Sequence, residues 1–210
     1  MSERWQFDES VAKVFRTHAQ RHIPDYNAVI DGCVSVCEQM VGRDDAIIDV
    51  GCATGNTLSR LAEKGFTNLH GVDNSPHMLE RVDVDSKLTQ SDTLPRGPYA
   101  AVLMNWTLHF VADKEGYLAE VHRQLKPGGI LLLTDKTSRD AVPTKFYHDF
   151  KRSQGVSEHE IQQKALAVRD VMHIDPVSWY LRVLPELGFR QVNVWRANWC
   201  FTSFFCVKSV

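Results

Sequence analysis

An acid, a run of small residues and two further acids at strand-like intervals are the groups in this chain best placed to do chemistry. Asp49 closes the β-branched run Ala46-Ile47-Ile48-Asp49-Val50, and Gly51-Cys52-Ala53-Thr54-Gly55 follows before the helix-like Leu58-Ser59-Arg60-Leu61-Ala62. That order reads as a buried parallel strand turning sharply into a helix, the place where doubly wound α/β folds hold nucleotides. Small residues let the backbone approach a ligand, and the first N–H groups of a helix are free to meet a carboxylate. The Gly-Lys-Ser/Thr of a phosphate-binding P-loop is absent. A nucleoside without phosphates therefore fits better.

The next acids extend that reading. His70-Gly71-Val72-Asp73-Asn74-Ser75-Pro76 ends a second strand about one βαβ repeat later, where Asp73 can accept hydrogen bonds from ribose hydroxyls. Gln90-Ser91-Asp92-Thr93 ends a third, with Asp92 suited to an exocyclic amine of adenine. Val102-Leu103-Met104-Asn105 ends a fourth and runs into Trp106-Thr107-Leu108-His109-Phe110, placing Asn105 near the reacting atoms and His109 where a general base could stand. Each has a plainer reading: a ligand-free turn, a helix cap at Asp73, a solvated acid at Asp92, a satisfied amide at Asn105, a packed ring at His109. Taken together they predict S-adenosylmethionine as cofactor.

The elements that must carry these groups alternate. Asp8 can cap a helix with Val11, Val14 and Phe15 on one face, Pro24 interrupts, and a second helix runs from Tyr26 to about Val41. Strands are expected at 46–50, 68–73, 87–91, 99–105 and 130–134, with helices at 56–64, 76–82 and 114–125 and a turn at Lys126-Pro127-Gly128-Gly129. From Asp135 to about 173 the chain reads as polar helix with aromatic insertions, a lid over the strand ends. A helix at 176–187 and an antiparallel pair at 190–197 and 201–208 close the pattern. The expected fold is a class I methyltransferase (Rossmann-like) α/β domain, with a seven-stranded, mostly parallel sheet and helices on both faces. It is one domain, 1–210, with a helical arm at 1–42 and the lid at 135–175.

Composition sets the outer limits. A hydrophobic share of 43% and a charged share of 24% are those of a globular protein, and a net charge of -2 gives no reason to expect a nucleic-acid footprint. No apolar run approaches a membrane span, no signal peptide is expected at Met1-Ser2-Glu3-Arg4-Trp5, and five cysteines without framework spacing suggest a reducing cytoplasm. Cys33 and Cys37 share an apolar helical face with Ile30 and Met40, so they are expected in the core. No further ligand lies near them in sequence, and no metal is expected.

Longer strings resemble the bacterial carboxy-S-adenosylmethionine synthase family. They are Phe7-Asp8-Glu9-x-Val11-Ala12-x-Val14-Phe15, Arg21-x-Ile23-Pro24-x-Tyr26, Asp73-Asn74-Ser75-Pro76-x-Met78 and Asn105-x-Thr107-Leu108-x-Phe110. His148-Asp149-Phe150-Lys151-Arg152-x-x-Gly155 and Ser157-Glu158-x-Glu160-Ile161-x-Gln163-Lys164 add two more, so the similarity spans about 5–208. The resemblance implies a homodimer that makes carboxy-S-adenosylmethionine from S-adenosylmethionine and prephenate, for wobble-uridine modification of tRNA. It implies cofactor contacts at Tyr26, Gly51, Cys52, Ala53, Asp73, Asn74, Asp92, Thr93 and Asn105, to which the loop adds Gly55. One departure stands out. The family has an arginine after the Gln-Lys pair, facing the product's extra carboxylate, and this chain has Ala165. Arg169, one turn on, could reach in. Removing the partner of a desolvated carboxylate costs several kcal/mol. The leading expectation is therefore methyl transfer to a small anionic or aromatic acceptor, with carboxy-S-adenosylmethionine synthesis as the alternative and a non-catalytic nucleoside binder as a second. Candidate catalytic residues are His109, Tyr147, His148 and Arg152, the last three within Phe146-Tyr147-His148-Asp149-Phe150-Lys151-Arg152, which could hold an anionic aromatic acceptor. Binding to nucleic acid or membrane is not expected.

Overall fold

The computed structural model describes residues 9–209, so the proposed cap at Asp8 and the residues before it lie outside what is described. Seven strands, β1 Ile47–Val50, β2 Leu69–Asp73, β3 Lys87–Gln90, β4 Tyr99–Asn105, β5 Leu125–Lys136, β6 Phe189–Asn198 and β7 Phe201–Lys208, form one sheet. Their order is β3-β2-β1-β4-β5-β7-β6. Strands β1 to β5 pair in parallel, while β7 lies antiparallel between β5 and β6. The order reverses between β1 and β4, and at that switch point the strand ends splay into a cleft.

Helices cover both faces because successive strand residues point to opposite sides. Ile47 packs under α2 (Tyr26–Met40) and α3 (Asn56–Glu63), with Cys33, Leu58 and Leu61. Ile48, the next residue, packs with Leu118 of α5 (Lys114–Gln124) and with Tyr180 and Leu184 of α8 (Val177–Glu186). Each fully buried Leu or Ile contributes ~1.5–3 kcal/mol through removal of apolar surface from water. Cys33 and Cys37 are fully buried core residues, as their spacing predicts, although Met40 on the same stripe is exposed.

Four details differ from the sequence reading. In α1 (Glu9–His22) the buried stripe is Ala12, Ala19 and His22; Val14 is exposed, and Val11 and Phe15 turn toward the cleft. Helix α4 is only Pro76–Leu79. Lys126–Gly129 is an excursion inside β5 rather than a turn before it, because the pairing jumps from Tyr99↔Leu125 to Ala101↔Ile130 around the positive φ of Gly128. Asp135 and Lys136 belong to β5, paired with Thr202 and Phe201, so the lid begins after them. It comprises α6 (Ala141–Ser153) and α7 (Glu158–Val168), tied to the arm where Arg21 donates to the carbonyls of Gln154 (3.1 Å) and Gly155 (2.8 Å).

Candidate active site

The loop after β1 is shaped by three consecutive needs for a left-handed backbone, at Gly51 (φ 68°), Ala53 (φ 46°) and Gly55 (φ 76°). At Gly51 a Cβ would lie 2.2 Å from Thr107 Oγ1, so only glycine fits beneath the strand-four loop. Ala53 accepts the strained conformation, with its N–H donating to Asp73 Oδ2 at 2.9 Å. Asp73 Oδ1 accepts from the Ser75 N–H at 2.9 Å. The Asn74 N–H bonds the same carboxylate, which still keeps lone-pair capacity for a ligand hydroxyl, and burial raises the carboxyl above its usual range despite these bonds. Asp49 is 3% exposed, and burial pushes it up to about 7, the Thr57 hydroxyl opposing and the Asp73 charge adding.

Across the cleft, Asn105 is buried, its side-chain amide 3.9 Å from Cys33 Sγ. Trp106 follows with φ 57°, stacked on Tyr26 at 4.8 Å between centroids, and its indole Nε1 is buried without a partner among the described residues. The Tyr26 hydroxyl accepts from Asn56 Nδ2 at 2.7 Å.

Behind the next turn lies a buried polar chain. Asp135 is fully buried and accepts from His109 Nδ1, from the His109 N–H (3.2 Å) and from the Tyr180 hydroxyl (2.5 Å). Lys114 Nζ donates to Tyr180 Oη (3.4 Å) and to Asp175 (2.8 Å). Asp135 engages His109 through Nδ1, and Nε2 takes no part in that contact. His109 lines the cleft.

The lid supplies the remaining wall. Lys151 is 4% exposed and sits 4.1 Å from the Tyr147 ring centroid, with Lys136 of β5 at 5.1 Å from the same ring. Neither forms an ion pair with an acid among the described residues. Burial pushes Lys151 down to about 8 and Lys164 to about 7, each ammonium also opposing its neighbour. His18, His22 and Ala165 complete this end. Desolvation lowers both histidines, His22 to about 4.

Of the sequence candidates, Tyr26, Gly51, Cys52, Ala53, Asp73, Asn74, Asp92, Asn105, His109, Tyr147 and His148 converge on this one cleft. Three do not. Gly55 turns the chain into α3 against Val82, and Thr93 points to solvent with its N–H on Ser91 Oγ. Arg152 is exposed, paired with Asp149 and Glu158 outside the cleft. Arg169 does not reach into the cleft: it is exposed beside Asp170, past the end of α7. Phe146 also turns outward, stacked on exposed Trp199. Sequence placed Lys151 in a basic aromatic segment that could hold an anionic acceptor but did not single out Lys136 or Lys164, and only the fold buries Lys151 and half-buries the other two.

The cleft encloses about 1020 Å³, room for a nucleoside cofactor and a small second molecule. The glycine-only approach at Gly51, the spare lone pairs of Asp73 and the orphaned Trp106 Nε1 suit S-adenosylmethionine. Comparison with known proteins agrees. A family model described as a methyltransferase domain matches residues 34–189. Carboxy-S-adenosyl-L-methionine synthase of Aliivibrio salmonicida is 34% identical over 96% of this chain and 92% of its own length. That of Alteromonas mediterranea is 31% identical over 98% and 93%. The chain belongs to the carboxy-S-adenosyl-L-methionine synthase family. Among solved structures, magnesium protoporphyrin IX methyltransferase from Synechocystis, with bound S-adenosylhomocysteine, superposes with a TM-score of 0.71 at 13% identity, over 97% of this chain and 96% of the other. A methyltransferase from Methanococcus maripaludis gives 0.67 at 18%, over 100% and 98%. These likenesses confirm the class I methyltransferase fold. As a family member the protein is an S-adenosylmethionine-using enzyme. Ala165, which follows Gln163-Lys164, lines the cleft.

Proposed function

We propose that this enzyme transfers the methyl group of S-adenosylmethionine to a small, carboxylate-bearing acceptor. The observation that carries this reading is the pair of cleft-lining lysines on the Tyr147 ring, buried Lys151 and half-buried Lys136, neither ion-paired with an acid among the described residues. Ammonium groups held in low dielectric are costly without an anion, and an acceptor carboxylate supplies one. The cofactor supplies an electrophilic methyl carbon. The chain's residues hold the acceptor in line with it, exclude water beneath the lid, and accept the acceptor's proton at His109 Nε2 while Asp135 stabilises the resulting imidazolium.

Ala165 and the outward Arg169 favour methyl transfer over carboxymethyl chemistry, since no arginine among the described residues lines the cleft. The kinship with the synthases favours the second reading, in which the sulfonium methyl loses a proton and forms a C–C bond to carbon dioxide released from prephenate. Native mass spectrometry of the purified protein separates the two. Retained S-adenosylmethionine or S-adenosylhomocysteine, with no carboxylated cofactor after incubation with prephenate, is expected; carboxylated cofactor would reverse the order. A cytoplasmic homodimer is part of the proposal, by likeness to the family, and sedimentation reads the dimer directly. No helix among the described residues is long and apolar enough to cross a membrane.

A further inference from the structure

The arm and the lid meet at a cluster of donors that the methyl-transfer reading does not use. Helix α1 presents His18 and His22, four residues apart, on one face. Glu160, in the first turn of α7, lies opposite with Oε1 3.1 Å from His22 Nε2 and 3.8 Å from His18 Nε2. One ligand atom from each residue lies within 4.8 Å of the others. A tetrahedral zinc with bonds of ~2.0–2.2 Å keeps its ligand atoms about 3.3 Å apart; the Glu160 oxygen is already near that distance from both rings, which stack at 3.8 Å between centroids and rotate to converge on one ion.

Two further features set the cluster apart from a chance surface ion pair. Ser157 caps α7, accepting the Glu160 N–H at 3.2 Å, yet the Glu160 carboxylate turns to the histidines instead of completing the reciprocal half of a capping box. His22 is 5% exposed, and its Nδ1 has no partner among the described residues, so no second hydrogen bond pins the ring. Lys151 and Lys164 flank the site. Their charge would repel a hard cation held by electrostatics alone, which leaves ions that bond strongly to imidazole.

We propose that His18, His22 and Glu160 form a binding site for a divalent transition-metal ion, zinc by preference. Three protein ligands leave a fourth position for water, and ligation locks lid helix α7 onto α1 across 138 residues of sequence.

The test uses the full-length protein, stripped by a chelator and titrated with cobalt(II), then zinc. One equivalent of cobalt with the visible bands of a four-coordinate ion, displaced by one equivalent of zinc, is the expected result. H18Q and E160Q, at partly exposed side chains that leave the fold intact by circular dichroism, should weaken zinc binding by more than the ~10–100-fold typical of losing an outer-sphere partner. H159Q, next to the site but exposed, should leave it unchanged. Absence of stoichiometric binding, or full binding in both H18Q and E160Q, would overturn the proposal. Because the readout is binding alone, it stands or falls apart from the methyl-transfer reading.

Discussion

Gly51 and Ala53 both occupy the left-handed region, but only one of them is irreplaceable by sterics. At Ala53 the Cβ is accommodated and a hydrogen bond to Asp73 holds the backbone. At Gly51 a methyl group would meet Thr107 Oγ1 at 2.2 Å and Cγ2 at 2.7 Å, with Cβ at 3.0 Å. Gly51→Ala is therefore expected to cost ~1–3 kcal/mol in denaturant unfolding and to weaken S-adenosylmethionine binding measured by calorimetry. Adding Thr107→Ala removes the two nearest atoms and should recover part of the stability, leaving the φ strain, the 3.0 Å approach to Cβ and the loss of the Thr107 hydroxyl bonds. If the double variant is no more stable than Gly51→Ala alone, the clash is not the cause. His109 answers to a different argument. Its candidacy rests on Asp135 engaging the ring through Nδ1, so Asp135→Asn should reduce turnover more than it reduces cofactor affinity.

The lid helices are joined to the arm by side chain to backbone bonds from Arg21 and by the contacts of Glu160 with His22 and His18. Arg21 donates to two carbonyls at the α6–α7 junction, Gln154 and Gly155. Arg21→Ala should accelerate limited proteolysis within 153–157 while leaving the global unfolding midpoint nearly unchanged, since the sheet core does not touch this bond. Equal rates of cleavage in both proteins would show that the lid is held elsewhere. The same element marks the limit of what could be read from sequence. Strand-to-helix alternation and the acids at strand ends are local signals, so the parallel sheet and the Asp73, Asp92 and Asn105 positions were legible. The lysine wall was not, because Lys136 and Lys151 become a pair only when α6 folds back over β5 against Tyr147. The cluster of His18, His22 and Glu160 was not read either, because Glu160 is brought in from another helix. Arg152 misled for the converse reason: its neighbours in sequence suggest a binding helix, but the side chain lies on the solvent face of α6 with its own acids.

At the scale of the whole molecule, buried ionisable groups make stability depend on pH in an unusual direction. Lys151 at about 8 and Lys164 at about 7 lie well below the ~10.4 of a free lysine. Above these values the unfolded chain binds more protons than the folded one, so stability rises with pH. The buried thiols act oppositely. Cys37 and Cys206 are pushed up to about 12, and Cys33, Cys52 and Cys200 are also raised, so the fold retains protons that the unfolded chain begins to lose near ~8.5. Below neutrality, Asp49 raised to about 7 loses stability with rising pH while His22 lowered to about 4 gains it, and the two offset each other. The ligand-free, chelator-treated protein should therefore become more stable from about pH 7 to about pH 8.5 and less stable beyond. Denaturant midpoints at constant ionic strength read this directly. K151M with K164M should flatten the rising limb, and an anionic acceptor should do the same by restoring the ammonium form, taking up protons as it binds. A midpoint that falls steadily from pH 7 would mean that these lysines meet solvent in the fold, and the anion-binding role assigned to Lys151 would lose its physical basis.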